Sequence, residues 1–328
     1  MADKPLFSIV VPAYNAEKTI GTCLDALLRL GGDDYEVVVV NDGSRDCTAD
    51  IIRNRINDDA RVRFVSQDNA GVYRARRAGC AEARGEYCLF VDADDKVEPE
   101  LLAALRPVLA PWPDMVVFNA FVGGGLLCDG TWLESLDLVA ARREAVAGHL
   151  MNPIWNKCIR RELINLSRAE EDAAERLVYG EDAIQVASVL DLCDSVVGLN
   201  VALYRYETNA GSVTSTIDPL LRFKQGIRKQ EILSVYMDKW GFRSTERGGF
   251  NANCLIYCAD YCKALAERGD YRAMGELANR PFFTDAIGYY DKRLLTRNQK
   301  MLVTVLRAKS LIAARLLYLL AAFRRKVR

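Results

Sequence analysis

Histidine is the scarcest functional residue in this chain of 328 residues, which contains only His149. A Ser-His-Asp triad or a zinc site with several histidines would therefore have to be built almost without its usual residue. His149 follows a helical stretch, so a structural role is favoured for it. If the protein is an enzyme, its acid–base chemistry is expected to fall on carboxylates.

Other features that the sequence lacks narrow the class of protein further. Lys plus Arg and Asp plus Glu both total 44, so no basic bias toward nucleic acid exists. The ten cysteines form no CxxC pair, and no apolar run precedes the first strand, so we predict reduced thiols and no signal peptide. Cys254, Cys258 and Cys262 are spaced by four, which favours core packing on one helix face over a metal site. No GxGxxG or GxxxxGK[ST] follows the first strand, which argues against a dinucleotide or P-loop site.

The first hundred residues alternate between short apolar runs and helical stretches. Strands are predicted at Phe7–Val11, Tyr35–Val40, Val62–Ser66 and Tyr87–Val91. Helices are predicted between them at about 16–30, 48–55 and 73–83. This alternation predicts an α/β fold with a mostly parallel sheet covered by helices on both faces.

Polar residues follow three of these strands, where parallel sheets bind their ligands. They are Tyr14-Asn15, Asn41-Asp42 and Asp92-Ala93-Asp94-Asp95. Three carboxylates at one strand end suit Mg²⁺ or Mn²⁺. The alternative is that these aspartates cap the helix that Pro99 could begin.

Four segments, taken in order, resemble family 2 glycosyltransferases with the GT-A fold. They are Phe7–Leu28, Glu36–Thr48, Asn69–Gly79 and Gly85–Asp95. The resemblance covers about the first 215 residues and implies a nucleotide-sugar transferase domain over 1–215.

The resemblance also implies roles for individual residues. Ala13, Tyr14, Asp42 and Arg76 would hold the nucleotide base and ribose; Arg77 stands where the family usually has Asn. Asp92 and Asp94 would form the DxD pair, with Asp94 on the metal and Asp92 on ribose or metal. Asp95 could substitute for either.

Later motifs extend the resemblance. Trp155-Asn156-Lys157 is similar to a segment of capsule and O-antigen members, in which Trp155 would stack on a sugar and Lys157 would reach a phosphate; core and surface roles are the alternative. Asp182 matches the family's catalytic base, and Glu181 would orient the acceptor; both could instead complement a helix dipole. Arg205 and Ser212 would contact the diphosphate.

Residues 216–328 are predicted to be a helical C-terminal region. Its last segment, Asn298–Arg328, carries eight basic residues and no acidic one. We expect a basic amphipathic helix that lies on an anionic membrane surface, because internal charges disfavour spanning. Packing on the protein or on a second subunit is the alternative.

Together these features predict an inverting, Mn²⁺- or Mg²⁺-dependent enzyme that moves a sugar from a nucleotide-sugar, expected to be a UDP-sugar, to a glycan or lipid-linked acceptor in cell-surface polysaccharide synthesis. Its expected location is the cytoplasm or the inner face of the cytoplasmic membrane. The alternatives are a nucleotidyltransferase that makes a nucleotide-sugar, and a catalytically silent sugar-binding or membrane-docking scaffold.

Overall fold

The computed structural model describes residues 4–148, 150–167, 177–207, 216–243 and 246–308. The chain divides into two compact units, one of residues 1–145 and 149–215 and the other of residues 146–148 and 216–328. His149 and Ser212 lie outside the described residues, as does the tail from residue 309 onward.

The first unit is built on one sheet. Its strands are β1 (Phe7–Ala13), β2 (Tyr35–Asp42), β3 (Val62–Gln67), β4 (Tyr87–Phe90), β5 (Lys96–Val97), β6 (Met115–Val122), β7 (Gly125–Leu126), β8 (Lys157–Arg160) and β9 (Val196–Tyr206). They are ordered β3-β2-β1-β4-β8-β6-β9-β5, with β7 paired to β6. The pairs β1–β2, β1–β4, β2–β3 and β6–β9 are parallel.

The helices of this unit are α1 (Ile20–Leu28), α2 (Thr48–Asp58), α3 (Val72–Glu82), α4 (Leu101–Val108), α5 (Thr131–Glu134), α6 (Leu138–Ala147), α7 (Arg161–Leu166) and α8 (Glu181–Leu190). Successive side chains of the central strands point to opposite faces of the sheet, and helices pack on both faces. Ile9 and Val37 share a core cluster with Leu24 of α1 and Leu105 of α4. Val10 and Val40 meet Gly79 of α3 on the other face.

Strand β8 runs antiparallel between β4 and β6, with Leu89 opposite Cys158 and Val117 opposite Lys157. The chain therefore enters β8 at the edge where β1, β2 and β4 end. As a consequence, residues 153–156 lie beside the acidic turn that follows β4, which is Asp92-Ala93-Asp94-Asp95. This strand is absent from the expectations above, because four residues carrying Lys and Arg have no strand signature of their own.

Strand β9 contains an irregularity opposite β6. Phe118 pairs with Leu199, Asn119 with Ala202 and Ala120 with Tyr204. From the first of these pairs to the last, β9 advances by five residues while β6 advances by two, so β9 has three extra residues. Beyond it, Tyr204 also pairs with Val97 of β5.

Two predicted helices are wrong in extent. The helix expected from residue 16 begins at Ile20, because the Ala16 amide donates to Thr48 Oγ1 (2.8 Å) and Asn15 Oδ1 accepts from the Arg45 amide (2.9 Å). These bonds tie the end of β1 to the loop after β2. The sequence also predicts one helix over 133–147, but the structure has two there, α5 and α6, since Asp137 accepts from the Ala140 amide (2.7 Å) and starts a new helix.

The second unit is helical. It contains α9 (Pro219–Lys239), α10 (Gly248–Glu267), α11 (Tyr271–Ala278), α12 (Pro281–Gly288), a 3₁₀ turn (Lys292–Leu294) and α13 (Arg297–Arg307). Cys254, Cys258 and Cys262 are all buried on α10, as expected for core packing. Within the described ranges, no helix has the length and apolar character needed to cross a bilayer.

Candidate active site

The acidic turn after β4 meets helices α3 and α8 at one guanidinium. Arg76 of α3 is buried. Its Nη2 donates to Asp92 Oδ1 at 3.0 Å, and its Nη1 donates to Asp182 Oδ1. Asp182 is the second residue of α8 and lies 106 positions beyond Arg76. The structure therefore brings three sequence-predicted residues, Arg76, Asp92 and Asp182, into direct contact.

The electrostatics of this cluster follow from burial and charge. Burial opposes the charged form of Arg76, but Asp182 and Asp92 outweigh that effect and raise its pKa. Burial raises the pKa of Asp92, and the charge of Arg76 opposes the increase. Burial and the neighbouring Asp182 raise the pKa of Glu181 to about 8. Glu181 therefore keeps its proton to a higher pH than an ordinary glutamate, beside the predicted base.

The acidic turn is fixed by a tyrosine of β9. Tyr204 Oη donates to Asp95 Oδ2 at 2.6 Å and accepts from the Asp92 amide at 3.1 Å. The Glu207 amide donates to Asp95 Oδ1 at 2.8 Å. Both oxygens of Asp95 are engaged and the residue is buried, so it does not fit the substitute metal ligand expected above; it orders the turn instead.

Asp92 and Asp94 are the two residues of this turn that could hold a divalent metal. Both are half-buried. Among the residues the structure describes, no three His, Cys, Asp or Glu side chains form a ready-made metal cluster. Two carboxylates fit a magnesium-type site that substrate phosphates and water complete.

Asp42 organises the start of α3. Its Oδ1 accepts from Gln67 Nε2 and the Ala70 amide, both at 2.7 Å. Its Oδ2 accepts from the Gly71 amide at 2.8 Å. Because Arg76 lies little more than one turn after Gly71, this carboxylate also positions the guanidinium. Of the other residues expected at the nucleotide, Ala13 is buried and Tyr14 is half exposed.

Trp155 and Lys157 are both internal. The indole of Trp155 stacks on Tyr204 with ring centroids 4.6 Å apart, and on Tyr206 at 5.8 Å. Lys157 is 0% exposed, and its ammonium donates to the Pro153 carbonyl and to Asn156 Oδ1. Burial lowers its pKa to about 7. Trp155 therefore takes the core role that the sequence left as its alternative. Lys157 was expected at a phosphate or on the surface, and its burial matches neither expectation.

Arg205 points away from the acidic turn. Its Nη2 lies 2.7 Å from Glu98 Oε1, and its guanidinium lies 4.5 Å from the centre of the Phe121 ring. Neighbouring residues of a strand face opposite sides, so Arg205 and Tyr204 cannot both face Asp95. That alternation was available in the sequence, but the extra residues of β9 decide that Tyr204 is the one at the turn.

One buried residue near the predicted base was missed. Gln185 of α8 is 0% exposed, and neither its Nε2 nor its Oε1 has a hydrogen-bond partner among the described residues. It lies one helical turn after Glu181 and Asp182. The regular spacing of α8 places it on their side of the helix, but nothing in the sequence indicates an unsatisfied amide.

Comparisons with known proteins agree with this architecture. The profile of "Glycosyl transferase family 2" matches residues 8–135. A putative glycosyltransferase of Bacillus subtilis, EpsH, is 26% identical over 246 residues, covering 72% of this chain and 70% of EpsH. The uncharacterized glycosyltransferase EpsJ of the same organism is 31% identical over 219 residues, covering 64% of this chain and 63% of EpsJ.

The crystal structure of S. aureus TarS 1-349 in complex with UDP-GlcNAc superimposes with a TM-score of 0.66 at 19% identity, covering 98% of this chain and 92% of that chain. At this identity the likeness shows the fold, and it confirms the predicted GT-A fold with a helical C-terminal region. Residues 8–135 are therefore similar to glycosyl transferase family 2, and the two Bacillus subtilis relatives extend this similarity to 219–246 residues.

Proposed function

We propose that this protein is an inverting, metal-dependent glycosyltransferase with a UDP-sugar donor and a hydroxyl of a glycan or lipid-linked chain as acceptor. The observation that carries the proposal is the joint contact of Arg76 with Asp92 and Asp182. It puts Asp92, which could bind a metal and diphosphate, beside Asp182, which could act as the catalytic base. TarS, which shares the fold, is described in complex with UDP-GlcNAc, which supports the choice of donor.

The reaction needs one displacement. Asp182 takes the proton of the acceptor hydroxyl while the acceptor oxygen forms a bond to the anomeric carbon. The bond from that carbon to the diphosphate oxygen breaks, and UDP leaves with the bonding pair. Attack from the face opposite UDP inverts the configuration. A divalent ion held by Asp92 and Asp94 would neutralise charge on the leaving diphosphate.

The test is UDP release from a panel of UDP-sugars with Mn²⁺ and a glycan acceptor. Asp182→Asn should keep donor binding and lose transfer by about 10²–10⁴-fold. Asp94→Ala should abolish the metal dependence of UDP binding. Full turnover by Asp182→Asn would assign the base elsewhere. Formation of UDP-sugar from UTP and a sugar phosphate would instead identify a nucleotidyltransferase.

The location of the enzyme is part of this proposal. Eight basic residues in 298–328 support docking on an anionic lipid surface on the cytoplasmic side of the membrane. Flotation with anionic liposomes should bring the full chain to the top of a gradient at low salt and lose it at high salt. Absence of flotation at low salt would remove the membrane from the proposal.

A further inference from the structure

Arg76 is shared by two carboxylates that would have separate tasks. Its Nη2 lies 3.0 Å from Asp92 Oδ1, its Nη1 contacts Asp182 Oδ1, and the side chain is only 3% exposed. Its Nε is buried without a hydrogen-bond partner among the described residues. All of the hydrogen bonding found for this guanidinium therefore goes to the two aspartates.

A buried guanidinium between two carboxylates makes them competitors. Whatever weakens one pair leaves more of the positive charge to the other, because little water reaches the cluster to compensate. A planar guanidinium can present different N–H groups to two carboxylates at once, whereas an ammonium is a compact point charge. The arrangement therefore depends on arginine in particular.

We infer that Arg76 couples the metal-binding side of the site to the base. This inference rests on the proposed function. A cation that binds Asp92 draws this carboxylate away from Arg76, and the guanidinium is left to hold Asp182 alone. Arg76 is then a positioning residue, and it fixes the base most firmly once the donor side is occupied.

Such coupling is reciprocal, because linked equilibria act equally in both directions. Removing the charge of Asp182 should let Arg76 pair more closely with Asp92 and so weaken cation binding, although Asp182 is not a metal ligand. Removing Arg76 should free Asp92 and strengthen cation binding. If the ion pairs of Arg76 were merely structural, the effect of removing the Asp182 charge on cation affinity would be the same with and without Arg76.

The experiment is calorimetric titration of the full chain with Mn²⁺ and no nucleotide. Four proteins form a cycle: the parent, Asp182→Asn, Arg76→Gln and the double variant. We expect Asp182→Asn to weaken Mn²⁺ binding about fivefold or more in the parent and less than about twofold in the Arg76→Gln background. Equal fold-changes in both backgrounds would overturn the coupling.

Arg77→Gln is the matched control for a lost positive charge. Arg77 is next to Arg76 on α3 but donates to the Ile164 carbonyl and to Ser167 Oγ. The Asp182→Asn effect should survive in this background. If Arg76→Gln does not fold, Arg76→Lys replaces it in the cycle: the Asp182→Asn effect should shrink there too, and an undiminished effect contradicts the inference.

The parent protein separates the two possible failures. If it binds Mn²⁺ and releases UDP from a UDP-sugar while the cycle shows no coupling, only the inference about Arg76 is wrong. If it neither binds Mn²⁺ nor releases UDP, the proposed function fails and the inference fails with it.

Discussion

Glu181 is a carboxyl with a raised pKa next to the predicted base. Its pKa is about 8 in the folded protein against an ordinary value of 4.5. Between these values the folded protein holds a proton that the unfolded chain has released. The contribution of Glu181 to the free energy of unfolding is therefore full below about pH 4.5 and is lost as the pH rises through about 8.

Glu181→Gln removes this titration. Compared with the parent, the variant should gain stability as the pH rises from 5 to 8, as measured by urea unfolding at each pH. Glu162→Gln, at an exposed glutamate of α7, controls for removal of a carboxylate as such. A difference between parent and Glu181→Gln that stays constant over this range would show that Glu181 ionises normally.

Gln185 carries a cost that substitution should reveal. A buried amide without partners loses its hydration and gains nothing in return, which costs about 1–3 kcal/mol. Gln185→Met, of similar size, should therefore raise the free energy of unfolding by about this amount, measured by denaturant unfolding. Gln185→Glu should lower it, because the same position would receive a charge. A less stable Met variant would mean that the amide is satisfied in solution.

Helix α3 depends on close contact with the sheet. A Cβ on Gly79 would lie 2.4 Å from Val10 Cγ1 and 3.1 Å from Val40 Cγ2. Gly79→Ala should therefore cost about 1–3 kcal/mol of stability and shift the helix that carries Arg76. Gly31→Ala is the matched control, since nothing lies within 4 Å of its added carbon. Thermal unfolding compares the two, and equal melting temperatures would contradict the close packing.

The elements that sequence predicts well are those whose signal is local. The apolar runs of β1, β2 and β4 identify the central parallel strands, because burial on both faces requires them. Strand β8 has no such run, and its place between β4 and β6 is set by tertiary pairing alone. The same limit applies to the site: a motif can point to Asp92 and Asp182, but their common contact with Arg76 exists only in the folded chain.

The charge of a residue is a poor guide to its role as a ligand where burial and strand alternation decide where its side chain lies. Lys157 suggested a phosphate ligand because Trp155-Asn156-Lys157 resembles a segment of capsule and O-antigen members, yet its ammonium is enclosed by the Pro153 carbonyl and Asn156 Oδ1. Arg205 suggested a diphosphate ligand, but the alternation of β9 gives the position at the acidic turn to Tyr204. Neither outcome could be read from the residue type alone.

Across the whole molecule, thiol exposure gives a test of packing in both units. All ten cysteines are free; Cys47 is exposed, Cys128 is intermediate and the other eight are buried. Ellman's reagent should therefore titrate one thiol quickly in the native protein, a second slowly, and the rest only on unfolding. Cys47→Ser should remove the fast phase. Rapid reaction of Cys254, Cys258 or Cys262, mapped by mass spectrometry, would contradict the packing of α10.

The extra residues of β9 opposite Asn119 act as a spacer for the acidic turn. Removing one of them would advance the strand by a single step and present Arg205 where Tyr204 now stands. A cation would then face Asp95 in place of a phenol, and the anchor of the Asp92 amide would be gone. A single codon lost from a stretch that holds none of the predicted site residues could thus abolish the proposed activity while leaving every residue of the motifs intact.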